Sequence, residues 1–399
     1  MVPYNAGAGA VNPLNALFVT QVLGGDVSAV GTLAAATALA SVPASGVWGD
    51  LTDRLGRRGP FIVLGLLGFG IPVMLMGLSQ SLLVAYALSF VMGFLSLAIN
   101  PASAALLTEG TPRDRWAEAF ASFNWIAGVG AIGGLLIGAL WMGGVPVVLG
   151  TTVALRGLMI FSGALVVVAA GLAAIWLPRE KPVPRLPVPR GKPADRSPAA
   201  LLRLLAAWRT DPWMLYILAY FLGRLSTTLA LTPFAVFLKD DLGAPASVVF
   251  AAYVANQLFP MLCYGWMGRL LRGTGAVKLM MLVSGGRGLG LLVGALAAVA
   301  GAGWVGIGLA FVLYGPIVGL SWAGMAIAGP VAVMEMVPPE KSGRGMGLYN
   351  AVASLAGILG AYVSGIAVLS IGYAGLFVIS AAVGVVGALP FLLVRSRRP

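Results

Sequence analysis

Residues 49–58 read GDLTDRLGRR, a ten-residue stretch holding Asp50, Asp53, three arginines and two glycines. On its N-terminal side, residues 27–48 contain no Asp, Glu, Lys or Arg, and on its C-terminal side residues 59–108 contain none either. A helix crosses a bilayer with about 20 apolar residues, and backbone inside the hydrocarbon must satisfy its own hydrogen bonds. The stretch therefore reads as a charged turn at one membrane face, joining two crossing helices.

The rest of the chain agrees. It is 399 residues long, 59% hydrophobic and 10% charged, whereas a soluble domain carries about 25% charged residues. That composition excludes an ordinary soluble protein, and the length accommodates roughly twelve crossings with short loops. The 56 glycines suit helices that approach one another closely in lipid.

A net charge of +12 could point to nucleic acid, but its placement does not. Of the 25 Lys and Arg, all except Arg156, Arg224, Lys239 and Arg287 lie in alternate inter-helix loops or in the C-terminal tail. This is the positive-inside pattern. The partner of the charge is the anionic inner leaflet, at about 1 kcal/mol per basic residue near the surface. Both termini are then expected on the cytoplasmic side of the cell inner membrane. Arg156, at the outer end of its span, is expected to snorkel to the headgroups. The single Cys263 excludes an internal disulfide, and there is no histidine. No basic region precedes the first apolar stretch, so no cleavable signal peptide is expected.

The apolar runs divide the chain into an N-terminal bundle (1–177), a linker (178–210) and a C-terminal bundle (211–399). The linker is rich in arginine and proline, and the leucines of 199–209, alternating with Arg203, Trp208 and Arg209, are expected to form a short interfacial helix. Glu109, Pro112 and Asn124 recur as Glu335, Pro338 and Asn350, in the contexts EGTPRDRWAEAFASFN and EMVPPEKSGRGMGLYN, so the halves repeat one plan.

Within the charged turn the spacing Gly-x-x-x-Asp-Arg-x-Gly-Arg-Arg is filled by Gly49, Asp53, Arg54, Gly56, Arg57 and Arg58. It resembles the loop between the second and third helices of the major facilitator superfamily. The resemblance implies an all-α membrane protein with twelve helices in two pseudo-symmetric six-helix bundles. It implies a secondary transporter of a small molecule, monomeric, with no enzymatic site, cofactor or metal. It makes Asp53 a latch against the eleventh helix in the outward-open state, beside Gly49, where two helices approach closely. Arg54, Arg57 and Arg58 either pair with Asp50, Glu109 or Asp114 or serve topology alone, and Glu109 and Arg115 complete the cytoplasmic gate.

Gly130, Gly134 and Gly138 recur every fourth residue in the fifth span and form a helix-packing row. The row resembles the glycine-rich motif of the family's antiporters, except that Leu135 stands where the motif has proline. Around Gly93 there is no arginine of the kind drug–proton antiporters carry, and no acid lies in the middle of a span. Ordinary proton coupling, which uses an embedded titrating group, is therefore not expected.

Two arginines lie deep in spans, at about 2.5–3.5 kcal/mol each on insertion scales. Arg287 is expected to be structural. Arg224, about 18 Å into the seventh span at 1.5 Å per residue, is the leading cavity residue. With it stand Asn12, Gln21, Asn256, Gln257, Tyr220, Tyr314 and Trp322. A cavity with a cation and no anion favours neutral or anionic solutes. The expected function is alternating-access transport, in the direction of export. A lipid or glycolipid flippase of the same fold and a proton-coupled drug antiporter are the alternatives.

Overall fold

The computed structural model describes residues 2–55, 58–108, 112, 116–177, 211–337 and 342–394, and the linker lies outside them. Every element among them is helical. The first half comprises α1 (Val2–Gln21), α2 (Val27–Leu55), α3 (Gly59–Leu78), α4 (Leu82–Ser96), α5 (Ile99–Thr108), α6 (Trp116–Leu149) and α7 (Thr151–Trp176). The second comprises α8 (Pro212–Leu231), α9 (Ala246–Thr274), α10 (Ala276–Ala300), α11 (Trp304–Val312), α12 (Gly319–Met336), α13 (Ser342–Ala388) and α14 (Pro390–Leu393). A short turn, Phe234–Val236, and a π-helical turn, Phe237–Asp241, follow α8; a second π turn, Leu313–Val318, joins α11 to α12.

Ten stretches among the described residues are long and apolar enough to cross a membrane. The last, Gly345–Leu393, is of double length. It breaks at Gly372, whose backbone (φ 68°, ψ 176°) is one that glycine adopts without a steric penalty. Counting its two arms separately and adding α1, whose asparagines lower its hydropathy, is consistent with twelve crossings. The turns alternate between two faces, one carrying the basic loops.

Proline explains another break. The expected fourth span is two helices, because Pro101 has no N–H to bond the carbonyl of Leu97, and the chain turns between Ser96 and Ile99. Trp48 Nε1 ties α2 to this region through the carbonyl of Phe94 at 2.6 Å.

Within lipid, helices associate by close packing rather than by a hydrophobic drive, and the glycines show where. A Cβ at Gly130 would sit 2.8 Å from the carbonyl oxygen of Val2, and one at Gly134 would collide with Ala6, so α6 lies directly on α1. Gly138 faces the Phe250 ring of α9, in the other half.

Arg156 Nη1 donates to the carbonyls of Gly77 and Ser79, each at 2.8 Å, and the guanidinium stands 5.6 Å from the Phe18 ring centroid. The end of α3 leaves carbonyls without intrahelical partners, and a cation there is favoured by the helix dipole.

Arg287 is 2% exposed. Nη2 donates to the carbonyl of Gly223 at 3.0 Å and Nη1 to Met325 Sδ at 2.8 Å, so its side chain ties α10 to α8 and α12. Its contacts are those of a structural residue.

Candidate functional site

The two halves meet in a seam at the face opposite the basic loops. A Cβ at Gly31 of α2 would collide with the carbonyl of Ala361, and one at Gly365 would collide with Ser28 and lie 2.7 Å from the carbonyl oxygen of Val27. No larger residue fits on either side of that contact. Beside it, Gln21 Nε2 donates to Asp240 Oδ1 at 2.8 Å. Asp26 caps α2 at the same seam by accepting from Ser28 Oγ at 2.6 Å and from the Ala29 N–H at 3.0 Å. Those two bonds hold its carboxyl below the usual carboxylate range.

The basic-loop face is parted instead. A vestibule of about 670 Å³ separates Ser41 and Trp48 of α2 and Asn100 of α5 from Gly347, Asn350 and Ser354 of α13. Gly46 and Gly347 line it, and among the described residues nothing stands within 4 Å of where a Cβ would project from either. Among the described residues, nothing stands within 4 Å of where a Cβ would project from Gly49 either. Arg58 Nη1 donates to the carbonyl of Thr52 at 2.8 Å, a local bond. The side chains of Asp53 and Arg54, and Gly56, Arg57, Glu109 and Arg115 altogether, lie outside the described residues.

Between seam and vestibule lies a cavity of about 330 Å³ to which both halves contribute. From the first half come Asn12 and Asn15 of α1 and Thr37 of α2. From the second come Arg224 and a run of threonines on α8, Tyr253 of α9, Tyr314 of the π turn and Trp322 of α12. The Arg224 guanidinium stands 5.1 Å from the Trp322 ring centroid. Attraction of a cation to a ring face is worth about 0.5–1 kcal/mol when exposed and about 2 when desolvated, less than the full cost of the charge. Arg224 Nε and Asn15 Oδ1 are buried with no hydrogen-bond partner among the described residues.

Of the predicted cavity residues, Arg224, Asn12, Tyr314 and Trp322 line this space. Asn256 stands behind it, Nδ2 donating to the Tyr314 carbonyl at 2.7 Å, which meets a backbone acceptor of the π turn around Pro316. Gln21 belongs to the seam. Tyr220 stacks on Tyr349 with centroids 4.0 Å apart, and neither it nor Gln257 lines the cavity. Sequence reading passed over Thr37, Thr227, Thr232 and Tyr253 as cavity residues. Thr227 was accessible to it, because it falls three residues after Arg224 and shares its helix face. A separate cavity of about 610 Å³ inside the first half, between Tyr4, Leu66, Phe123 and Trp176, is almost wholly apolar and offers little to orient a solute.

A polytopic helical membrane protein with a central cavity built by both halves, shut towards one face and, among the described residues, open towards the other, has the form of a membrane carrier. The model of the Major Facilitator Superfamily matches residues 3–327 and again 289–399, and the chain belongs to that family of transporters. Over 104 residues it is 38% identical to the multidrug resistance protein MdtG of Serratia proteamaculans and 36% identical to that of Yersinia enterocolitica. The matched stretch covers 26% of this chain and 25% of each relative. The fold is similar to that of the nucleoside transporter NupG (TM-score 0.71, 17% identity, 98% of this chain and 96% of that one). It is also similar to a bacterial homologue of the human lysosomal transporter Spinster, solved inward-facing and unoccupied (TM-score 0.68, 14% identity, 100% and 96%).

Proposed function

We propose that the protein moves a small neutral or anionic organic solute across the cytoplasmic membrane by rocking its two halves about the central cavity, in the direction of export. The observation that carries this reading is the contrast between the seam at Gly31 and Gly365 and the open vestibule at Gly46 and Gly347. By the positive-inside rule the basic-loop face is cytoplasmic, both termini lie there, and the conformation described is inward-open. Residues 1–177 and 211–399 are then the moving bodies, with 178–210 as their tether, and the carrier works as a monomer in an anionic inner leaflet.

In the opposite conformation the vestibule closes. Gly49 and Asp53 then meet α13, and the Gln21–Asp240 bond breaks. Export draws support from the local likeness to MdtG, whose name is that of a multidrug resistance protein. The cavity's charge supports neutral or anionic cargo. Counterflow in proteoliposomes tests the reading: preloaded solute should accelerate uptake of its labelled form. A folded, correctly inserted protein that exchanges no solute of either class would refute it.

A further inference from the structure

Four threonines line the central cavity: Thr37, Thr227, Thr228 and Thr232. Each donates its hydroxyl proton one turn back along its own chain. Thr37 bonds the carbonyl of Leu33 at 3.2 Å, Thr227 that of Gly223 at 2.7 Å, Thr228 that of Arg224 at 3.0 Å and Thr232 that of Thr228 at 2.7 Å. A hydroxyl has one proton and two lone pairs, so what these groups have left to offer is acceptors. Asn12 and Asn15 also line the cavity, and each carboxamide brings two N–H donors beside its acceptor oxygen. Tyr253 and Tyr314, ring centroids 4.7 Å apart, also line the wall, and each hydroxyl carries one proton beside its acceptor lone pairs.

Among the described residues one cation stands against these acceptors: Arg224 rests over Trp322, its Nε has no partner, and no carboxylate lines the cavity. The complement of such a lining is an anion that also brings several hydroxyl protons. A cation would meet the field of Arg224 with the wrong sign. A neutral polyol would serve the acceptors and leave the guanidinium without a counter-charge, and an apolar acid would do the reverse.

We propose that the cavity binds polyhydroxylated organic acids, the carboxylate on Arg224 and the hydroxyls on the threonine oxygens. This rests on the carrier reading only in taking the cavity as the solute site. At about 30 Å³ per water, 330 Å³ holds about eleven waters, more than enough room for a six-carbon sugar acid.

Four six-carbon probes separate the terms: gluconate, hexanoate, glucose and glucosamine, titrated calorimetrically into the purified full chain. Arg224→Gln removes the charge, and Thr228→Val and Thr37→Val remove acceptors while keeping the shapes that pack on Gly360 and Gly93. Gluconate should bind at least about tenfold more tightly than any of the other three. Arg224→Gln should abolish that preference without changing glucose, and each valine variant should weaken gluconate and leave hexanoate unchanged. Glucose, glucosamine or hexanoate binding as tightly as gluconate would overturn the assignment, as would no gluconate binding by protein with a cooperative melt. Counterflow distinguishes this from the carrier reading. Gluconate that binds but does not exchange contradicts transport and leaves the ligand class standing, whereas exchange of glucose without gluconate binding sinks the ligand class alone.

Discussion

The guanidinium of Arg224 and the indole of Trp322, 5.1 Å apart, join α8 to α12 across the wall of the central cavity, and no carboxylate shares that cavity with them. The ring is therefore a principal support of the charge when no solute is bound. Trp322→Ala should lower stability by about 1 kcal/mol, and Trp322→Phe by less, because the phenyl face is the weaker partner. Thermal unfolding of the purified variants checks this. An unchanged midpoint for Trp322→Ala would mean that the ring does not support the charge.

Arg287 should behave differently. Its guanidinium bonds Gly223 and Met325 in a fully buried site. Arg287→Ala leaves both a cavity and an unsatisfied Gly223 carbonyl, so it should cost about 2–5 kcal/mol. Arg287→Met fills most of the volume and removes a buried charge, and its loss should be clearly smaller. Unfolding midpoints of the two variants decide it; equal losses would contradict the packing argument.

The seam gives a conformational prediction. Gly365→Leu places a side chain where the backbones of Ser28 and Val27 lie, so the described form can no longer close on that side. A cysteine introduced as Gly46→Cys, in a Cys263→Ala background, should react with maleimide in the vestibule, and more slowly once Gly365→Leu is added. Equal rates would show that the seam does not control the vestibule.

Asp26 gives a pH dependence. Its carboxyl is held below the usual range by Ser28 and the Ala29 N–H. A lowered folded-state pKa contributes stability above the unfolded value, about 3.9, which is lost as pH falls through the folded value. Asp26→Ala should cost about 1 kcal/mol at neutral pH through the lost helix cap. The wild-type and variant melting curves should converge as pH drops below about 4. A gap that persists at low pH would assign the loss to packing instead of the carboxylate.

Much of the fold was legible because lipid simplifies the rules. Long uncharged runs, the charged turn at 49–58 and the placement of basic residues locate the helices and their ends, and Gly372 breaks α13 between the two predicted spans. Site residues were harder. Arg224 and Arg287 look alike in sequence, and only the faces they present separate a cavity cation from a buried strut. Gln21 and Tyr220 are polar residues at plausible depths, but their partners, Asp240 and Tyr349, lie far along the chain. Arg156 bonds the carbonyls of Gly77 and Ser79, nearly eighty residues away along the chain. The direction of the threonine protons is invisible in sequence, since it depends on which carbonyl each hydroxyl meets.

The central claim, that the halves rock about the cavity, is tested most directly by two distances in one protein. Spin labels on Gly46→Cys and Gly347→Cys report on the vestibule, and a second pair on Gln80→Cys and Ala302→Cys reports on the opposite face, all in a Cys263→Ala background that retains counterflow. When solute is added under turnover conditions, a population should appear in which the first distance shortens while the second lengthens. Distances that stay fixed, or that move in the same direction while transport proceeds, would contradict the account.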